Sequence, residues 1–267
     1  MAFSAHQISS STNEKIKHLS QLSRKAALRN KEQLFVVEGF REINRAYQSG
    51  FDIYQLFYCK GLLDHSIKHL AADQYYEVNR KVYEKIAYRQ KSQGLIATLK
   101  MKSNRLDELQ LSHQNPLVLV LESPEKPGNI GALLRTAAAA DIDAMIITNP
   151  KTGIYNANCI RASLGGFFAI PIAVCSNEIC IDFLRQHQFQ VYTALIDENS
   201  ADYNRQNYQG KTAIVLGTEA EGLSDNWLQD DFQPIQLPMP GKVVDSLNLS
   251  VSGGILMYEA IRQRMTK

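Results

Sequence analysis

Val215-Leu216-Gly217-Thr218-Glu219-Ala220-Glu221-Gly222-Leu223-Ser224 ends an apolar run on a glycine, passes through an acidic loop and stops at a serine. Downstream, Leu237-Pro238-Met239-Pro240-Gly241 closes a second run, and Ser246-Leu247-Asn248-Leu249-Ser250 opens the last apolar segment. Each piece joins the end of an apolar run to a loop shaped by glycine or proline and a few polar side chains. A parallel α/β sheet offers backbone groups to a ligand in this way, at the carboxyl ends of its strands. Upstream, Asn129-Ile130-Gly131-Ala132-Leu133-Leu134-Arg135-Thr136-Ala137 has the same character.

Around these pieces the pattern alternates. Apolar runs at 117–121, 144–148, 170–175, 189–195, 212–216 and 233–237 lack a polar alternation, which predicts buried parallel strands covered on both faces. Helices are predicted over 129–140, 156–164, 177–187 and 248–264. The first hundred residues repeat the theme on a smaller scale. Helices are expected at 13–29, from 39 to 48, at 61–71 and at 80–87, with strands at 34–37, 53–58, 76–78 and 94–99. Residues 101–115 are polar and end at Asn115-Pro116, which marks a linker. The chain is therefore read as a small α/β domain (1–105), a linker (106–115) and a larger parallel-sheet domain (116–267).

Composition sets the outer limits. A chain of 267 residues can bury two ordinary cores, and 45% hydrophobic with 21% charged residues is ordinary for a globular protein. Met1-Ala2-Phe3-Ser4-Ala5-His6 lacks a secretory layout, and no apolar run approaches the roughly 20 residues that span a bilayer, so no membrane partner is expected. The four cysteines (Cys59, Cys159, Cys175, Cys180) form no CxxC pair, which argues against a disulfide framework or zinc knuckle and for reduced thiols in the cytoplasm. His65 and His69 stand four apart on an expected helix, but no third ligand is in view, so no metal is expected. Trp227 and the tyrosines between 75 and 88 read as packing residues, with one or two tyrosines available to stack on RNA bases.

Charge is unevenly spread along a chain of net +2. Residues 15–45 hold eight basic side chains against three acidic ones, and residues 195–231 hold two basic against eight acidic. The basic stretch suits a polyanion such as RNA, with Arg24, Lys25, Arg29 and Arg41 as candidate phosphate contacts. At the motifs, Pro127-Gly128-Asn129-Ile130-Gly131 is a weak phosphate loop, being neither GxGxxG nor a P-loop. Arg135 stands out in a helix otherwise built of Ala and Leu. Ser246 or Asn248 alone would serve as a helix cap, but Asp245, Ser246, Asn248, Ser250 and Ser252 exceed what one cap requires.

The three segments, in this order, resemble the signature motifs of the SpoU (TrmH) family of SPOUT methyltransferases. The resemblance covers Leu117 to the end, and the basic domain before it is similar to the substrate-recognition domain of ribosomal-RNA members. It implies transfer of a methyl group from S-adenosylmethionine to a ribose 2′-hydroxyl of RNA, with ribosomal RNA ahead of transfer RNA. It also implies a trefoil-knotted parallel sheet and a homodimer. Cofactor contacts carry over to Gly217, Leu237 and Leu247, and active-site residues to Asn129, Arg135, Glu219, Ser246 and Asn248. The stretch from Gly241 to Ser246 is one residue longer than the commonest family spacing. A guanidinium holds its proton tightly and is a poor base, so Arg135 is read as a phosphate clamp that also stabilises the developing alkoxide. Asn129, Ser246 and Asn248 would orient the ribose and Arg135, and Glu219 would position a neighbouring amide or Arg. The rival class is a non-catalytic RNA-binding or ribosome-assembly factor, which would have no need of this polar cluster.

Overall fold

The structure, a computed structural model, describes residues 5–88, 93–195, 200–219, 221–241 and 243–265. Ala220, inside the first stretch quoted above, and Lys242, directly after Gly241, lie outside the described residues. The chain divides into two compact units: Met1–Lys102 with Gly153–Ala169, and Ser103–Thr152 with Ile170–Lys267.

The first unit contains β1 (His6–Ile8), α1 (Glu14–Arg24), α2 (Ala26–Glu32), β2 (Leu34–Glu38), α3 (Phe40–Gln48), β3 (Ile53–Tyr58), β4 (Ala72–Val78), α4 (Arg80–Ile86) and β5 (Leu95–Lys100). Its sheet runs β1-β4-β3-β5-β2, with β5 antiparallel to both neighbours and the other pairs parallel. Asn13 caps α1 by accepting from the Lys15 amide at 2.9 Å. The single helix predicted over 13–29 is two, broken at the extended Lys25. Arg29 explains the break: it is buried, and its Nη1 donates to the carbonyls of Leu22 (2.9 Å) and Ser23 (3.4 Å), supplying partners that a continuing helix would otherwise have given them.

The helix predicted at 61–71 is absent, and only a 3₁₀ turn forms at Lys60–Leu62. The segment is held instead through Ile67 and Leu70, both buried, while Tyr75 Oη donates to the Leu70 carbonyl at 2.9 Å. His65 packs on the Phe40 ring and His69 Nε2 meets Asn44 Oδ1 at 2.7 Å, so the two histidines serve side-chain packing against α3. Among the described residues no group of three His, Cys, Asp or Glu is placed to hold a metal ion.

Residues 153–169 belong to the first unit although they are separated from it in the chain by residues 103–152. They carry α6 (Ala157–Ala162) and an aromatic cluster in which Phe35 of β2 meets Tyr155, Phe167 and Phe168 at ring-centroid separations of 4.7, 6.3 and 6.4 Å. Tyr155 Oη donates to the Lys102 carbonyl at 3.0 Å, and Ser49 Oγ donates to the Phe168 carbonyl at 2.6 Å.

The second unit contains β6 (Leu117–Glu122), α5 (Pro127–Ala139), β7 (Ala144–Thr148), β8 (Ile172–Cys175), α7 (Asn177–Gln186), β9 (Gln190–Ala194), β10 (Ala201–Asp202), β11 (Thr212–Leu216), β12 (Gln233–Gln236) and α8 (Leu249–Met265). All seven strands are parallel, in the order β10-β12-β9-β11-β6-β7-β8. Every residue of β6, β7 and β11 is buried, which is why their sequences read as unbroken apolar runs. Residues 103–115, expected to close the first domain and link the two, sit in this unit. Leu106 is buried in its core, with Leu109 and Leu111 packed against it, and Asn104 accepts from the Val174 amide at 2.7 Å. Their polar composition hid three leucines that find a hydrophobic surface.

Register positions the site. Leu216 of β11 lies opposite Ala194 of β9, and Ile235 of β12 opposite the same alanine, so the tips of three strands finish side by side. The last helix packs close over α5 and β11 at Gly253, where an added Cβ would overlap Leu133 Cδ2 and come within 2.9 Å of Leu216 Cδ1. Gly253→Val is therefore expected to destabilise this unit by about 1–3 kcal/mol despite the better helix propensity of valine. Thermal unfolding should show a drop of several degrees; an unchanged or higher midpoint would mean that the leucines yield without cost.

Candidate active site

Glu219 is the hub of a polar network that joins three distant parts of the chain. Its Oε1 accepts from Asn129 Nδ2 (2.8 Å), Asn248 Nδ2 (2.6 Å) and the Leu249 amide (3.3 Å), and its Oε2 pairs with Lys126 Nζ. Asn248 Nδ2 also reaches Asn129 Oδ1 at 3.3 Å. Asn129 lies in the first turn of α5, which opens with Pro127 at its first position, as helix geometry favours. Asn248 precedes α8 and caps it, its Oδ1 accepting from the Ser250 amide (2.9 Å) and Ser250 Oγ (2.6 Å). The capping and site readings of Asn248 are thus both satisfied, one by each end of its amide.

The loop carrying Glu219 is closely tied. Thr218 and Gly222 exchange backbone hydrogen bonds at 2.9 and 3.1 Å, and Thr218 Oγ1 accepts from the Glu221 amide at 3.0 Å. Gly222 adopts φ +69°, a left-handed conformation natural to glycine. Gly217 is required for a different reason: a Cβ there would overlap the Gly222 carbonyl group and the Leu223 nitrogen, all backbone atoms.

A cleft of about 530 Å³ opens beside this loop. Gly217, Leu237 and Leu247 line it, together with Ala194, Ile235 and Ser246. Its aliphatic walls, at the tips of β9, β11 and β12, suit a flat heteroaromatic group. Arg135 lies elsewhere on α5. It is exposed and makes no hydrogen bond or ion pair among the described residues, so the structure does not draw it into the Glu219 network. Ser246 is likewise exposed and lines the cleft without a hydrogen bond among the described residues.

In the first unit Arg24 and Lys25 are exposed, and Arg41 is exposed with its Nη2 3.5 Å from Glu42 Oε1. Arg29 is corrected: with its guanidinium buried on two carbonyls, it cannot contact phosphate. Burial also lowers its pKa from the ordinary arginine value.

Two residues of the second unit were missed. Lys126 neutralises Glu219 from the turn before α5, and its only sequence signal was its place beside Pro127. Glu122, at the end of β6, is buried and accepts from Asn177 Nδ2 (2.5 Å), the Ser224 amide (2.8 Å) and Ser224 Oγ (2.5 Å). It thereby pins the far end of the Glu219 loop. An acid closing an all-apolar strand was the available clue.

The Lys126 ammonium, above all, holds the Glu219 carboxyl below its ordinary value of 4.5, helped by the Leu249 amide and Asn129 and opposed by burial. A lowered folded pKa means that the charge's contribution to the network is complete above the ordinary value and is lost as pH falls through the depressed one. The network is therefore expected to persist through the neutral range. An NMR titration of the Glu219 carboxyl should give a midpoint below 4.5 that rises in Lys126→Ala. A wild-type midpoint at or above that value would contradict the pairing.

Comparison with known proteins agrees with this architecture. A family model described as "SpoU rRNA Methylase family" matches residues 116–258, and one described as "MRM3-like substrate binding domain" matches residues 13–97. The 23S rRNA (guanosine-2′-O-)-methyltransferase RlmB of Vibrio parahaemolyticus is 31% identical over 193 residues, covering 71% of this chain and 78% of that protein. Its namesake from Haemophilus influenzae is 31% identical over 223 residues, covering 79% and 90%. Among solved structures, an RNA 2′-O ribose methyltransferase superposes with a TM-score of 0.83 at 35% identity, covering 97% of this chain and 99% of that one. An AdoMet-bound rRNA methyltransferase from Sinorhizobium meliloti gives 0.86 at 26% identity, covering 98% and 99%.

Proposed function

Because the chain belongs to the SpoU rRNA methylase family, we propose that it transfers a methyl group from S-adenosylmethionine to a ribose 2′-hydroxyl of ribosomal RNA. The observation that carries this reading is the cleft at the tips of β9, β11 and β12, bordered by the Glu219–Asn129–Asn248 network. Gly217, Leu237 and Leu247 would hold the cofactor there, and the aliphatic walls fit an adenine ring. When bound, S-adenosylmethionine supplies an electrophilic methyl group.

The chain's own part is positioning and charge. Glu219, kept ionised by Lys126, is a weak base, so it serves to orient the amides of Asn129 and Asn248. Ser246 lies on the cleft, where its hydroxyl can orient the ribose. A guanidinium is a poor proton acceptor, so Arg135 is not assigned the hydroxyl proton. It acts instead by binding a flanking phosphate and stabilising negative charge on the reacting oxygen. Labelled-methyl transfer to ribosomal RNA, with the modified position mapped, tests the reading. Absence of both transfer and cofactor binding would sink it.

Exposed Val251, Tyr258 and Met265 repeat every seven residues along α8, which supports a homodimer through that helix. The knot is supported by the placement of β9 between the later strands β11 and β12. A ribosomal-RNA substrate supports a cytoplasmic location.

The first unit is proposed to bind RNA, with Arg24, Lys25 and Arg41 as phosphate contacts. Reversing the charge of Arg24 and Lys25 together should weaken RNA binding about tenfold at low salt and flatten its salt dependence, with cofactor affinity unchanged. Unaltered RNA affinity would return that pair to the role of solvated surface.

A further inference from the structure

Of the tyrosines between residues 75 and 88, Tyr76 and Tyr83 are buried, Tyr75 uses its hydroxyl on the Leu70 carbonyl, and Tyr88 is 71% exposed. Tyr88 is not loose. Its amide donates to the buried Glu38 carboxylate at 3.0 Å, and the guanidinium of Arg161 lies 3.8 Å from its ring centroid. One face of the ring is thus covered by a cation. A side chain that remains 71% exposed while one face is covered must present its other face to solvent. This is an aromatic plane held in place, polarised from behind and open in front.

The support beneath it is rigid. Arg161 comes from α6, whose first turn is capped by Asn156 accepting from the Asn158 amide at 2.9 Å, and Arg161 also donates to Asn158. The segment bearing α6 is anchored on both sides by the Tyr155 and Phe167–Phe168 contacts with Phe35. Arg41 and Arg45 of α3 are exposed on the same unit, and the Arg45 side chain lies against Gly165, three residues beyond α6. The acids Glu38 and Glu42 are buried, and the exposed Glu84, four residues before Tyr88, is paired with Arg80.

From this geometry we propose that the open face of Tyr88 stacks an unpaired base of the RNA, as the third layer of an Arg161–Tyr88–base sandwich, with Arg41 and Arg45 taking the flanking phosphates. Every base has a π-face, and an aromatic ring prealigned by a cation accepts it at little ordering cost. A paired base has no free face, so the platform selects single-stranded segments. The proposal rests on the RNA-substrate reading and specifies how the first unit grips that RNA.

The test uses the full chain and one RNA hairpin with a single-stranded loop, alongside a fully paired duplex of equal length. Tyr88→Ala should weaken hairpin binding about tenfold and raise KM with little change in kcat. Tyr88→Phe should restore binding to within about twofold, since the ring and not the hydroxyl does the stacking. Duplex and cofactor affinity should be unchanged in both variants. Equal hairpin affinity for wild type and Tyr88→Ala, in a protein that still transfers methyl groups, overturns the platform and leaves the methyltransferase reading standing. A wild-type protein that binds cofactor but neither hairpin nor duplex overturns the platform through its RNA premise.

Discussion

Arg135→Ala is expected to lower kcat by about a thousandfold while leaving the Kd for S-adenosylmethionine within about threefold. The expectation rests on the proposed role of Arg135 as a phosphate clamp that stabilises charge on the reacting oxygen. Its side chain is exposed and makes no hydrogen bond or ion pair among the described residues, so truncation opens no cavity and strands no partner. Stability should therefore stay within about 0.5 kcal/mol of wild type, as for surface substitutions generally. On the proposed role, the loss would then appear in the chemical step, where a positive fork near developing negative charge has most to contribute. Arg135→Lys keeps the charge and discards the two-pronged geometry, and should recover only part of the rate. Single-turnover kinetics with saturating cofactor would measure both variants. Full activity in Arg135→Ala would refute the role.

Gly217→Ala should abolish cofactor binding, with no measurable heat in calorimetry and a Kd raised at least about a hundredfold. The methyl group would be driven into the carbonyl of Gly222 and the nitrogen of Leu223, which are main-chain atoms and cannot rotate away. The loop can admit it only by breaking the reciprocal Thr218–Gly222 hydrogen bonds, and this would pull Glu219 off Asn129 and Asn248. Gly222→Ala provides the contrast. A Cβ there meets nothing within 4 Å, so only the φ of +69° resists it, and cofactor binding should weaken modestly. Trp227, fully buried in the same unit, reports on folding through its near-ultraviolet signal. A folded Gly217→Ala protein that binds cofactor normally would show that this turn does not shape the pocket.

The buried strands of the second unit were legible because a parallel sheet covered on both faces demands continuous apolar runs, and β6, β7 and β11 supply them. β1 was invisible: His6-Gln7-Ile8 has too little pattern to separate from coil. The break at Lys25 depends on Arg29 folding back onto carbonyls seven and six residues earlier, and local periodicity does not register such a contact. Ile67 and Leu70 mimic a helix face because both are buried, yet a loop buries them equally well. At the site, Asn129, Glu219 and Asn248 were found through ordered motifs, and their convergence on one carboxylate is a fact of folding. Lys126 and Glu122 stood next to those motifs, but single charged residues beside a proline or at a strand end have too many other uses to be singled out.

The excursion of residues 153–169 into the first unit has a consequence for synthesis. A ribosome that has made the first hundred residues has not yet made Tyr155, Phe167 and Phe168, against which Phe35 packs in the finished protein. The nascent amino-terminal portion must wait, with an unfinished aromatic face, until translation has passed residue 169. The two halves of the message are therefore not two independent folding instructions, and genetic dissection at residue 102 would separate a fold from part of its own interior.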